Sequence, residues 1–183
     1  MSSIHRPTRI LALDPGTREI GFALFDGATL IRYGVRNLKK RLEKQSKGKI
    51  PGTELIESFK PNVLIIGKLT HPQRKKNPIL KNYTSQVKLL ASHNGIYVHE
   101  IEPSAARKFL NKDRQPTKMN VAALIVSTYP ELSLYLPRKT RILWTHKDKY
   151  WMNMFDAFTL GLYYIRKSGK DVAEDKNSKR KSI

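Results

Sequence analysis

Apolar residues fall into two patterns along this chain, continuous runs of four to six and stripes at helical spacing. The runs come first. Ile10 to Leu13 is apolar throughout and ends in Asp14; Pro15-Gly16-Thr17 turns the chain, and Ile20 to Phe25 returns. Runs bounded by Pro and Gly predict a hairpin of two strands. A strand apolar at every position is covered on both faces, so the first belongs at the centre of a sheet. Gly27-Ala28 and Thr29 to Val35 add a third strand and make an antiparallel meander. Leu38 and Leu42 can open a helix, which Gln45 to Gly52 interrupts as a basic, Gly- and Pro-containing loop. Thr53 can cap a helix to Phe59, with Glu54 and Glu57 in its early turns, where the dipole favours acids.

A fourth strand, Val63 to Ile66, follows Phe59-Lys-Pro-Asn and ends at Gly67-Lys68. Leu80, Tyr83, Val87, Leu90 and Ala91 then recur at helical spacing, and Asn94-Gly95 stops that helix. Ile96 to Ile101 is the fifth strand. Glu100 and Glu102, two apart, share one face of an extended chain, and His99 takes the other. A short helix follows from Pro103 to Leu110. Asn111 to Pro116 is a polar loop, and Thr117 caps a helix that Tyr129-Pro130 ends. The last helix runs from about Tyr150 to Arg166. The polar stretch 167–183 reads as a basic, disordered tail. Residues 1–166 thus form one α/β domain, a mixed five-stranded sheet flanked by helices.

Charge changes this picture more than length does. The 183 residues carry 35 Lys and Arg against 15 Asp and Glu, a net charge of +20. Such a surface selects a polyanion, with nucleic acid first. The chain has no cysteine, which excludes disulfides and thiolate chemistry. No run approaches membrane-spanning length, and the N-terminus lacks a signal-peptide core, so a cytoplasmic protein without a membrane partner is expected.

Several acids stand where chemistry is possible. Asp14 ends the central strand, the position at which open α/β sheets place their sites; its plain alternative is a turn residue. Asp156 lies inside an apolar helix, where a carboxylate is costly unless paired or bound to metal. Asn153 shares its face at i, i+3 spacing, and Asp148 is held in reserve. Two such acids brought together attract hard, oxygen-seeking cations, Mg²⁺ or Mn²⁺. Arg74, Lys75 and Lys76 follow the fourth strand, and Arg138, Lys139, Arg141 and Trp144 combine charge with a ring for stacking; all suit nucleic acid. A solvated charge run is the plain alternative for both groups.

The hairpin with Asp14, the strand after Phe59-Lys-Pro and the closing Asn153…Asp156-Ala157 together resemble the ribonuclease-H-like nucleases. The likeness is to the RuvC group of Holliday junction resolvases and the YqgF ribosomal-RNA-processing nucleases, over most of residues 10–165. A similar hairpin opens the actin-like sugar kinases, whose two-domain architecture 183 residues cannot hold. The resemblance implies a two-metal centre, with Asp14, Asp156 and Asn153 as ligands. It implies a phosphate-facing role for Lys118 and a basic role for Arg107, though Lys118 at a helix start also reads as a tolerated surface lysine. The helix after the fourth strand contributes to a dimer interface in RuvC, so a homodimer is implied. The chain departs from RuvC at one place: the second catalytic acid falls on Gly67. In the YqgF group the strand ends in Gly and an acid follows the next strand, which points to Glu100 or Glu102. Three functions compete. They are a metal-dependent endonuclease of branched DNA or structured RNA, a degenerate nucleic-acid-binding protein with the same fold, and a structural ribonucleoprotein component.

Overall fold

The computed structural model describes residues 8–38, 53–70, 77–112, 115–137 and 145–180, with side chains to residue 168. Five strands form one sheet: β1 Arg9–Pro15, β2 Glu19–Asp26, β3 Thr29–Asn37, β4 Val63–Gly67 and β5 Tyr97–Ile101. Their order across it is β3-β2-β1-β4-β5. The meander is antiparallel, whereas β1, β4 and β5 run parallel, so the sheet is mixed. Helices α1 Thr53–Phe59, α2 Pro78–His93, α3 Pro103–Leu110, α4 Lys118–Thr128 and α5 His146–Arg180 flank it, with a short 3₁₀ turn at Pro130–Tyr135.

The continuous apolar runs become two cores because successive strand residues point to opposite faces. Ile10, Ala12, Val63 and Ile65 face the core that α3, α4 and α5 complete with Ala106, Ile125, Phe155 and Phe158. Leu11, Leu13, Leu64 and Ile66 face the other core, which α1 and α2 close with Leu55, Leu80, Tyr83 and Val87. Asp14 and Gly67 continue the first alternation, so both point towards α5.

Glycine lets α5 approach the sheet. A Cβ on Gly21 of β2 would lie 1.8 Å from the backbone oxygen of Asn153, and one on Gly161 would lie 2.4 Å from the Phe25 ring. These two contacts fix the height of α5 over β2 and with it the placing of Asn153 and Asp156.

Two boundaries differ from expectation. Helix α5 starts at His146 rather than near Tyr150, because Thr145 and Asp148 cap each other. Asp148 accepts from Thr145 N and Oγ1 at 2.8 and 2.7 Å, and its own N–H donates to Thr145 Oγ1 at 3.2 Å. That gives Asp148 a capping role. The helix also continues to Arg180. Residues 170–180 contain no proline and are rich in Lys, Glu and Asp, so Arg166 marks a change of composition rather than of backbone conformation. The helix expected from Leu38 and Leu42 and the loop 45–52 fall largely outside the described residues, as do Arg74, Lys75, Lys76, Arg138, Lys139, Arg141 and Trp144. Among the described residues no helix is long and apolar enough to cross a membrane.

Candidate active site

The parallel strands β1, β4 and β5 end side by side, and their C-terminal ends open into a cavity of about 250 Å³. Asp14 reaches it from β1. Gly16, from the turn that follows, approaches the same space; its N–H donates to Glu19 O at 2.9 Å, and a Cβ on it would meet that oxygen at 2.7 Å. Asn153 and Asp156 enter from α5, one turn apart, as their spacing requires. Arg107 comes from α3 and Lys118 from the first turn of α4. Thr117 sets the start of α4, its Oγ1 accepting from Asn120 N at 3.2 Å.

Asp156 is only 4% exposed. Both its oxygens are engaged: Lys118 Nζ donates to Oδ2, and Arg107 Nη1 lies 3.6 Å from Oδ1. These cations offset much of the cost of burying the charge. Lys118 is thus tied to a buried acid while its own side chain stays half exposed. Its ammonium is unfavourable to the α4 dipole, and Asp156 compensates it. Burial still raises the Asp156 pKa, while Lys118 and Arg107 hold it back. Asp14 is different. It accepts no hydrogen bond among the described residues. Burial above all, and then the charge of Asp156, push it up to about 7; Lys118 and Arg107 oppose that rise.

The two glutamates part company. Strand β5 ends at Ile101, and Glu102 takes the N-cap position of α3, so the alternation breaks between them. Glu102 turns into the cavity, where Ser104 Oγ lies 3.3 Å from its Oε1. Glu100 stays on the α2 side of the sheet and pairs with Lys88. The expectation that both share a face is therefore corrected, and only Glu102 reaches the site. His99 lies on the opposite side to Glu100, with its ring 5.0 Å from that of Tyr164 in α5.

Gly67 does not leave open space. A Cβ there would lie 2.8 Å from Asp14 Oδ1 and 3.3 Å from Leu160 Cδ1, so Asp14 itself uses the room. A larger residue at position 67 requires the Asp14 side chain to shift. Lys68 and Ser104 also line the cavity. The sequence offered little sign of them, beyond Lys68 standing directly after the strand end.

Asp14, Asp156, Asn153 and Glu102 offer only oxygen donors, the chemistry that Mg²⁺ and Mn²⁺ require. Asp14, which accepts no hydrogen bond among the described residues, fits a ligand role best. Among the described residues, no three His, Asp or Glu side chains gather into a group spaced to hold an ion. Lys118 and Arg107 now occupy the oxygens of Asp156.

No protein-family model matches the chain, and no curated protein matches it in sequence. Solved structures do match in fold. The five-stranded order and its flanking helices define a ribonuclease-H-like fold. Within that class the chain is similar in fold to solved Holliday junction resolvases, RuvC among them. The yeast mitochondrial Holliday junction resolvase Ydc2 aligns with a TM-score of 0.63 at 13% identity, over 100% of this chain and 87% of that one. Thermus thermophilus RuvC aligns with a TM-score of 0.57 at 14% identity, over 88% and 97% of the two chains. The fowlpox virus Holliday junction resolvase gives 0.54 at 19% identity, over 87% and 99%.

Proposed function

We propose that this protein is a divalent-metal-dependent endonuclease of RuvC type that cuts phosphodiesters in branched DNA. The observation that carries the reading is the convergence of Asp14 and Asp156 with Lys118 and Arg107 in one cavity at the ends of β1 and β4. Carboxylates that are costly to bury stand beside cations that suit a phosphate. Asp14, Asp156, Asn153 and Glu102 would hold the ion or ions. Bound there, such ions supply charge to activate water and to stabilise the leaving oxygen of a phosphodiester. Lys118 and Arg107 orient the phosphate by charge-assisted hydrogen bonds. The net charge of +20 draws the polyanion in. The RuvC of Thermus thermophilus and the fowlpox virus resolvase both have structures with Holliday junction substrate, which favours branched DNA over structured RNA here.

The degenerate-binder reading rests on the Gly67 that stands where RuvC proteins carry an acid, and on the lack, among the described residues, of three acids spaced to hold an ion. A cleavage assay separates the two. Four-way junction, duplex, hybrid and structured RNA are incubated with Mg²⁺ or Mn²⁺. Cutting of the junction, lost in Asp14→Asn, supports the nuclease. Junction binding without cutting in either ion supports the binder, and preferential cutting of structured RNA moves the substrate to RNA.

A further inference from the structure

We propose that Lys118 and Arg107 gate the metal site, so that the cavity takes up a divalent cation cooperatively with a nucleic-acid phosphate. The inference rests on the nuclease reading above and concerns how that site is regulated.

Among the described residues lining the cavity, three acids stand with three cations. Asp14, Glu102 and Asp156 face Lys68, Arg107 and Lys118. Within that set Asp156 has no idle oxygen, because Arg107 holds one and Lys118 the other. Both cations therefore oppose a divalent ion at Asp156, by occupying its oxygens and by like-charge repulsion in a partly desolvated space. Neither can simply leave. Asp156 is 4% exposed, and a buried carboxylate stripped of its partner is strongly unfavourable.

A phosphate resolves this conflict. It gives the guanidinium and the ammonium a new anion, with geometry that suits both. Lys118 has room to make the exchange, since its side chain is 46% exposed; Arg107, at 19%, is more confined. Once the cations turn to phosphate, Asp156 needs a counter-charge, and a divalent ion supplies it. Each ligand thus removes the obstacle to the other. Linkage makes the effect reciprocal: the factor by which phosphate tightens the ion equals that by which the ion tightens phosphate. The free chain then rests in an ion-poor, inactive state.

Mn²⁺ binding by the full chain tests the gate without relying on cleavage. Free Mn²⁺ is followed by its paramagnetic signal in mildly alkaline buffer, with and without a four-way junction. Readings are taken before the junction is cut, as a denaturing gel of each sample confirms, and the junction without protein reports the ion held by DNA alone. The unaltered chain should bind Mn²⁺ weakly, and the junction should raise its affinity about 5- to 150-fold, the usual range of such couplings. Lys118→Gln should bind Mn²⁺ more tightly than the unaltered chain in the absence of DNA, and the junction should then add little. Arg107→Gln should shift in the same direction by less, and it carries the test should Lys118→Gln fail to melt cooperatively. Tight Mn²⁺ binding by the free, unaltered chain, unchanged in both variants, overturns the gate and leaves the nuclease reading standing. No specific Mn²⁺ binding by any form, junction present, overturns the gate together with that reading.

Discussion

Two lysine–carboxylate pairs lie on opposite sides of the β4–β5 strand ends, and they have different consequences. Lys88 and Glu100 meet on the α2 side, where the two side chains are 35% and 34% exposed. Water screens that pair, and exposed pairs of this kind contribute about 0–1 kcal/mol. Lys118 and Asp156 meet on the α5 side around an acid that is 4% exposed. Burial makes that second pair obligatory, and any ligand that takes one partner must provide for the other. Exposure, more than the identity of the charges, separates a screened contact from an obligatory one.

The largest effect should come from the buried acid. Asp156→Asn removes a proposed ligand and should lower junction cleavage on the order of 10³-fold, the worth of several kcal/mol at a metal centre. Glu100→Gln should leave the rate within about twofold, as expected of a pair worth under 1 kcal/mol. Equal losses in single-turnover assays would erase the contrast. Glu102→Gln belongs between them, because Gln keeps an oxygen donor in the cavity but loses the charge that a divalent ion favours.

Stability gives a smaller contrast. Lys118→Ala leaves Asp156 with Arg107 alone and should cost about 1–2 kcal/mol, below the full value for a buried pair because Lys118 is half exposed. Lys88→Ala should cost less than about 1 kcal/mol. Urea melts of both variants at neutral pH measure the difference, and a larger cost at Lys88 would reverse the argument.

The smallest effect is a pH slope. Asp14 titrates near 7 in the folded chain against an ordinary 3.8, raised first by burial and then by Asp156. A carboxyl with a raised folded value is favoured protonated, so its stabilising contribution is complete below pH 3.8 and lost as pH rises through about 7. The ion-free protein should therefore lose stability across that window, and Asp14→Asn should flatten the loss. Melts of the two proteins from acid to neutral pH give the difference, and parallel curves would show that Asp14 is not perturbed.

Much of this was legible in the residues. Unbroken apolar runs ending in Asp14 and Gly67 imply central, parallel strands whose ends share a site, and Asn153 and Asp156 had to share a helical face. What could not be read depends on where the strand alternation stops. Glu100 and Glu102 are equivalent on an ideal strand; the structure separates them because β5 ends at Ile101 and Glu102 begins a helix. The partners of Asp156 were equally hidden, since Lys118 lies 38 residues away in sequence. The use that Asp14 makes of the space at Gly67 is a matter of packing, visible only with β1 and β4 side by side.

The central claim is that Asp14 and Asp156 form a metal-dependent nuclease site. Cleavage of a four-way junction in Mn²⁺ by the unaltered chain, Asp14→Asn and Asp156→Asn, measured beside junction affinity, tests it most directly. Only the unaltered chain should cut, with both variants still binding the junction. Cutting that survives in either variant, or none by the unaltered chain in Mn²⁺ or Mg²⁺, would contradict it.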